Sequence, residues 1–296
     1  MRGRQLAHAP TAGQVSWRAG GAVKRAVWPA DLTDLQTWLA DLPADEKVVF
    51  IGAGTSLLVR DGGFDGNVVF TQPGLMAIQA ASPDDNCPGV YAEAGASASK
   101  LAEWAAQQGL TGLEFLAGIP GTVGGALVGN AGCFSSETWD GVVAVQTIDR
   151  QGRLQRRPAS DYRVGYRQVS RYQAGEPEWF VGAWFTLRPT QQREATQTVA
   201  DLLAQRARQQ PLDQPNAGRV FRNPPGMVAS ELLKQMGFAG KRRGEASFSR
   251  QHPNFIVNRG GASAADIESL IIDAQQLAKA QFGIELVVEA TIIGDW

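Results

Sequence analysis

The sequence predicts an α+β protein built from more than one unit. Three observations carry that prediction. A chain of 296 residues is long enough for two domains, or three small ones. Strand-like runs and helix-like periods are mixed along it. Four prolines, Pro211, Pro215, Pro224 and Pro225, interrupt the pattern after a long helix and set a boundary near 190–212.

The elements follow in order. Residues 22–28 are rich in strand formers, residues 31–42 place Leu35, Trp38, Leu39 and Leu42 at helical spacing, and residues 48–51 form a short apolar strand, giving a β-α-β unit that ends near Phe70. Residues 90–94 alternate like a strand. Ser97 is placed to cap a helix carrying Leu101, Trp104 and Ala105, which Gly109 terminates. Two further strands are expected at 142–148 and 179–187, the first followed by a turn at Gln151-Gly152. The helix over 191–210 presents Val199, Leu202, Leu203 and Ala207 on one face. A last helix over 264–281 begins with Ser263 and Asp266 in capping-box positions, and a strand over 284–293 follows.

Composition narrows the function. The net charge of -1 argues against nucleic acid as the main partner, because phosphate binding needs a basic excess. Two cysteines, Cys87 and Cys133, suit a reducing cytosol better than a disulfide scaffold. No stretch approaches a membrane span or a secretory leader, so a cytoplasmic protein is expected. His8 and His252 make no metal site, and His252 reads as structural.

Five segments are candidates for chemistry. Ile51-Gly-Ala-Gly-Thr-Ser-Leu-Leu-Val59 follows a strand, and its small residues let backbone N–H groups approach an anion, with Thr55 and Ser56 adding donors. It lacks the third glycine of a dinucleotide fingerprint, and taken alone it reads as a tight turn. Gly118-Ile-Pro-Gly-Thr-Val-Gly-Gly-Ala126, leading to Asn130-Ala-Gly132, is better explained by a large flat or diphosphate ligand, since such residues weaken any helix or strand. Gly165-Tyr-Arg-Gln168 offers Arg167 as a fork for a carboxylate or as a plain surface residue. Asn216 to Pro225, with Lys241-Arg-Arg243 nearby, suits a diphosphate or is a solvated loop. Glu289 stands in the apolar run 286–293, either on its exposed face or in a site that raises its pKa. Alternation puts Leu286 and Val288 on one face, and Val287 and Glu289 on the other.

In this order and spacing, these motifs resemble the UDP-N-acetylenolpyruvoylglucosamine reductases, in their shorter form. The matching residues are Gly20-Gly21-Ala22, Gly52 to Val59 with Asp61 to Gly66, Glu114 to Ala126 with Asn130 to Gly132, and Gly165 to Arg167. They continue with Ala217-Gly218, Val220-Phe221, Asn223-Pro224, Ser249 to Asn258, Phe282-Gly283 and Glu289. The resemblance implies a two-part FAD-binding region of the vanillyl-alcohol-oxidase type, residues 1–72 and 73–190, and a substrate-binding domain over 191–296. It implies FAD held by Gly52, Ala53, Gly54, Thr55, Ser56, Leu57 and Leu58, and by Gly118, Ile119, Pro120, Gly121, Thr122, Gly124, Gly125, Asn130 and Gly132.

The implied reaction is a hydride transfer from NADPH to the flavin, then from the flavin to C3 of UDP-N-acetylglucosamine enolpyruvate, with a proton to C2, in peptidoglycan precursor synthesis; a monomer is expected, with the oligomeric state left open by the sequence. Arg167 and Glu289 would polarise the substrate carboxylate, Glu289 in its protonated form. Tyr166, Arg222 and Asn223 would contact the substrate, Arg222 standing where a lysine is usual.

The chain departs from the pattern a second time, and with more consequence for the chemistry. Arg219 stands where the family carries the serine that donates the C2 proton, and an arginine is a very poor proton donor. A water, or a hydroxyl such as Ser249, would have to take over. The departure leaves room for a flavoenzyme of the same fold with another substrate, or for a non-catalytic UDP-sugar-binding relative.

Overall fold

Among the described residues six α-helices form, and their ends are set by local chemistry. α1 (Leu32–Asp41) starts where the Asp31 carboxylate accepts the Asp34 N–H at 2.9 Å. α2 (Ala98–Gln107) is capped by Ser97 as expected. α3 (Val123–Gly129) forms in the glycine-rich stretch that was expected to disfavour any helix. Thr122 caps it, and burial of Val123, Ala126 and Leu127 outweighs poor propensity. α4 (Gln192–Gln209) and α5 (Ala229–Gln235) follow. α6 (Ala264–Phe282) has the reciprocal Ser263/Asp266 capping box, contributing about 1 kcal/mol, and ends on Gly283.

The computed structural model describes residues 1–82, 87–173, 175–211 and 213–296. Two compact units divide the chain, and each is discontinuous in sequence. The first comprises residues 1–6, 26–53 and 67–206; the second comprises 7–25, 54–66 and 207–296.

In the first unit an antiparallel five-stranded sheet runs in the order Leu154–Pro158, Val142–Asp149, Glu178–Thr186, Gly89–Glu93, Ile78–Ala80. α2 and α3 cover it, burying Leu101, Ala105, Leu127, Trp139, Val145 and Phe185. Strand Val48–Ile51 pairs in parallel with residues 67–70, and α1 packs Leu35, Trp38 and Leu39 into a second core with Val69 and Val181. These aliphatic and aromatic side chains each contribute about 1.5–3 kcal/mol on full burial.

In the second unit a small antiparallel sheet, Arg242–Arg243, Ala246–Phe248 and Ile256–Asn258, packs with α5 and α6 around Trp17, Phe221, Phe238, Leu270 and Ile271. A parallel pair, Leu57–Val59 with Thr291–Ile293, belongs to the same unit. Arg60 fastens that pair. Its guanidinium donates to both oxygens of buried Glu268 at 3.0 and 2.9 Å and to the Gly294 carbonyl at 3.0 Å. The Asp61 carboxylate accepts the Ala264 and Ala265 N–H groups at the start of α6.

Two expected elements differ from what forms. The strand expected over 284–293 is regular only at Thr291–Ile293, because the chain changes partner: Val288 bridges Phe221, and residues 291–293 pair with 57–59. The face expected for α4 also shifts. Leu203 and Ala207 are exposed, and the buried stripe is Ala195, Val199, Leu202 and Arg206. Among the described residues, no helix is long and apolar enough to cross a membrane.

Candidate active site

The first unit brings its two glycine segments together. A Cβ built on Gly52, just after strand Val48–Ile51, would fall 2.1 Å from Thr122 Oγ1, so the backbone at 52 lies directly on the residue that caps α3. Gly124 is equally constrained: its N–H donates to the Ala94 carbonyl, and a Cβ would sit 2.9 Å from that of Ala94. Gly125 and Gly129 are different. A Cβ at Gly125 would meet only Thr122 Oγ1, at 3.8 Å, and one at Gly129 would meet nothing within 4 Å. Packing therefore explains Gly52 and Gly124 and leaves Gly125 and Gly129 beside open space, as a cradle for a flat ligand requires. On that test the residues of 118–132 fit FAD.

Asn130 ends α3 in a left-handed conformation and is fully buried. Its Nδ2 donates to Glu137 Oε2 and the Gly165 carbonyl, and its Oδ1 accepts the Trp139 N–H. That side chain is fully engaged within the protein, so what it contributes is position. The Gly165 bond ties α3 to the hairpin Tyr162–Gly165/Gln168–Arg171, whose turn is Tyr166-Arg167. Arg167 has φ 55°, a region an arginine rarely adopts. Its fork donates to the Asn130 and Gly132 carbonyls at 3.1 and 2.8 Å and lies over the exposed Tyr166 ring. The Arg167 guanidinium thus sits on the end of the glycine segment.

The second unit holds the other candidates. Gly54 has φ 64°, and a Cβ there would be 2.3 Å from the Gln14 carbonyl. Ser16 N–H donates to the Gly54 carbonyl. Thr55 is half-buried and Ser56 exposed, whereas Leu57 and Leu58 are buried core residues that present only backbone to a ligand. Residues 220–222 pair with 287–289: Glu289 N–H donates to the Val220 carbonyl at 2.8 Å, and Arg222 N–H to the Val287 carbonyl at 2.9 Å. Two residues further, Thr291 N–H donates to the Ser56 carbonyl. Glu289 therefore lies on a short path between the Arg219–Asn223 segment and the Thr55-Ser56 turn. As alternation predicted, Leu286 and Val288 pack inward while Val287 is exposed.

Asn254 fixes the Arg219–Asn223 segment by accepting the Phe221 N–H and donating to its carbonyl. Asn223 Oδ1 accepts the Ala229 N–H at the start of α5. Arg219 is exposed, and the buried Nε of Arg222 has no hydrogen-bond partner among the described residues. Arg219 also acts on His252. Burial first, and the Arg219 charge second, hold that imidazole below its ordinary pKa of 6.5. Ser249 Oγ accepts the Gln251 and His252 N–H groups, so it closes a local turn.

Sequence reasoning missed three participants: the Gly52–Thr122 contact, the Arg219–His252 coupling, and Arg206, whose guanidinium donates to the Gly118 carbonyl. Only Arg206 left a sequence signal, a charge on the apolar stripe of α4.

Residues 23–157 match the FAD-binding domain family. That match defines the class: the protein is a FAD-dependent oxidoreductase whose FAD-binding part belongs to an α+β fold. Residues 210–293 match the C-terminal domain of UDP-N-acetylenolpyruvoylglucosamine reductase. The reductase of that name from Nitrosomonas eutropha is 47% identical over 99% of this chain and 90% of its own. That from Thiobacillus denitrificans is 45% identical over 100% and 94%. The solved reductase from Thermus caldophilus superposes with a TM-score of 0.80 at 26% identity, over 99% of both chains. The chain belongs to the UDP-N-acetylenolpyruvoylglucosamine reductase family.

Proposed function

We infer that this enzyme reduces the enolpyruvyl group of UDP-N-acetylglucosamine enolpyruvate to the lactyl ether of UDP-N-acetylmuramate, at the expense of NADPH, in peptidoglycan precursor synthesis. The single observation that carries the reading is the near full-length identity with the reductases, over both the FAD-binding and the C-terminal matches. The Arg219 departure gave reason to weigh another flavoenzyme or a non-catalytic relative; that identity favours the reductase.

When bound, FAD supplies hydride chemistry, accepting hydride from NADPH and delivering it to C3 of the enolpyruvyl group. The chain's residues supply the rest. Glycines of 118–132 would hold the flavin with backbone, and Gly54, Thr55 and Ser56 would supply donors for its diphosphate. As hydride reaches C3, negative charge develops at C2 and spreads into the substrate carboxylate. Arg167 stabilises it from the hairpin turn, and Glu289, protonated, donates a hydrogen bond to the same carboxylate. Tyr166, Arg222 and Asn223 hold the UDP-sugar, Arg222 as a fork on phosphate. Arg219 adds positive charge where the intermediate forms, and water delivers the C2 proton. The working division is FAD binding by 1–72 and 73–190 and substrate binding by 191–296, in a cytoplasmic enzyme.

An anaerobic titration in two steps tests this. The purified protein is yellow, NADPH bleaches it, and UDP-N-acetylglucosamine enolpyruvate restores the colour. Protein that bleaches but stays reduced in the presence of the enolpyruvyl sugar would defeat the substrate assignment. Protein that takes up no FAD would defeat the whole reading.

A further inference from the structure

The second unit contains a cavity of about 530 Å³ that the reaction leaves unused. Arg18 and Arg259 line it with Gln214, Pro215, Asn258 and Gly260-Gly261, none of which has a part in the chemistry above. The frame behind the two arginines is fixed by one buried side chain. Asn258 Nδ2 donates to the Trp17 carbonyl at 2.8 Å, and its Oδ1 accepts the Gly260, Gly261 and Ala262 N–H groups at 2.8, 3.0 and 3.0 Å. The loop that carries Arg18 is thereby tied to the loop that carries Arg259. The buried Trp17 indole adds a bond to the Ile256 carbonyl at 2.8 Å. The arginine backbones are held too, Arg18 N–H by the Val15 carbonyl at 3.0 Å and Arg259 N–H by the Glu245 carbonyl at 2.9 Å.

The charge of this cavity is unbalanced. Among the described residues neither guanidinium has an ion pair or a side-chain hydrogen bond, and no carboxylate lines the cavity. Glu245 comes near, its Cγ 3.8 Å from where a Cβ on Gly261 would fall, but its carboxylate lies against Arg242 at 3.4 Å. Arg18 holds φ 54°, which an arginine rarely adopts. Gly260 has φ 121°, and a Cβ there would meet nothing within 4 Å, so that side of the cavity stays open. Two cations bordering one space repel each other, and an anion between them removes that cost. We propose that this cavity is a binding site for a small molecule bearing a diphosphate, separate from the residues assigned to FAD and to the substrate. Each guanidinium forks one phosphoryl group, and the Gln214 amide adds a neutral donor. The volume exceeds that of a bare phosphate and suits a ligand of nucleotide size. The lining offers no aromatic ring for a base to stack on, so recognition rests on the diphosphate.

The test is a calorimetric titration of inorganic pyrophosphate, in metal-free buffer, into the FAD-loaded enzyme. Arg222→Gln serves as the background, since it removes the fork assigned to the substrate phosphates. In that background one equivalent should still bind, and adding Arg259→Gln should weaken it by about tenfold or more through the loss of one charge-assisted fork. Arg18→Asn should act alike, asparagine being a residue that tolerates a left-handed turn. Alone, Arg259→Gln and Arg18→Asn should keep their FAD and their rate of bleaching by NADPH, because both side chains are exposed and outside the reaction. The proposal is overturned if pyrophosphate up to about 1 mM fails to bind in the Arg222→Gln background. It is equally overturned if binding there is the same with and without Arg259→Gln. Should Arg18→Asn fail to fold, Arg259→Gln alone decides. Binding that Arg222→Gln abolishes assigns the pyrophosphate to the substrate residues and sinks the new site.

Discussion

The glycine segment of the first unit and the arginine segment of the second place their candidate residues by opposite means. Over 118–132 the backbone does the shaping. Gly52 and Gly124 leave no room for a Cβ, and Gly125 and Gly129 leave room that the protein does not fill. Over 216–223 the backbone is an ordinary paired segment, held by Asn254 and by residues 287–289, and the chemistry proposed for it lies in its side chains. The two arginines show the contrast. Arg167 is held in a left-handed turn with both arms of its fork on carbonyls, whereas Arg219 projects from its segment into solvent. A position built from backbone is hard to vary. A position carried by one exposed side chain can change identity while the fold persists, and Arg219 is such a position.

The sharpest way to break that comparison is to remove the side chains assigned to the second half-reaction. Arg167→Ala and Glu289→Gln should each leave bleaching by NADPH intact and slow reoxidation by the enolpyruvyl sugar by about 10²-fold or more, read by rapid-mixing absorbance. Unchanged reoxidation in Glu289→Gln would remove it from the mechanism.

The glycines give a second test, in which stability and binding separate. Gly124→Ala should lower the stability of the flavin-free protein by about 1–3 kcal/mol through overpacking against Ala94. Gly125→Ala should raise it by about 0.5–1 kcal/mol, since alanine suits a helix better, while weakening FAD binding. Thermal melts with and without FAD measure both. If the two variants behave alike, the division between packed and open glycines is wrong.

Smaller effects are expected at the exposed arginine. Arg219→Ser should reoxidise at a rate within about threefold of the parent, or faster if the new hydroxyl delivers the proton; a large loss would give the arginine an active role. The same substitution should raise the His252 titration midpoint toward 6.5, followed by NMR of the imidazole, because one of the two influences holding it down is gone. A group whose folded pKa is depressed favours the native state above its unfolded value, and that contribution is lost as pH falls. Acid should therefore destabilise the parent below about pH 6.5 slightly more than Arg219→Ser.

Much of this was legible beforehand. Caps at Ser97 and Ser263 and the alternation around Glu289 are local signals, and the structure keeps them. What escaped was decided by tertiary packing. α3 forms among glycines because Val123 and Leu127 find a core, and residues 284–293 change partners midway because two different segments meet them. The α4 stripe differs from the expected one because periodicity favours Leu203 and Ala207 over a charged residue, whereas the hydrogen bond of Arg206 to the Gly118 carbonyl is a tertiary contact. His252 read as structural from its neighbours, and its electrical link to Arg219 depends on the Asn254-held pairing that sequence spacing does not reveal.

The parallel pairing of residues 57–59 with 291–293, locked by Arg60 on Glu268, has a consequence for how the protein is born. On the ribosome the first of these strands emerges more than two hundred residues before its partner. The turn proposed for the cofactor diphosphate must wait for that partner until residues 291–293 have been made. Flavin loading of that turn is then a late event, and a nascent chain stalled before residue 291 would carry its glycines without the strand that steadies them.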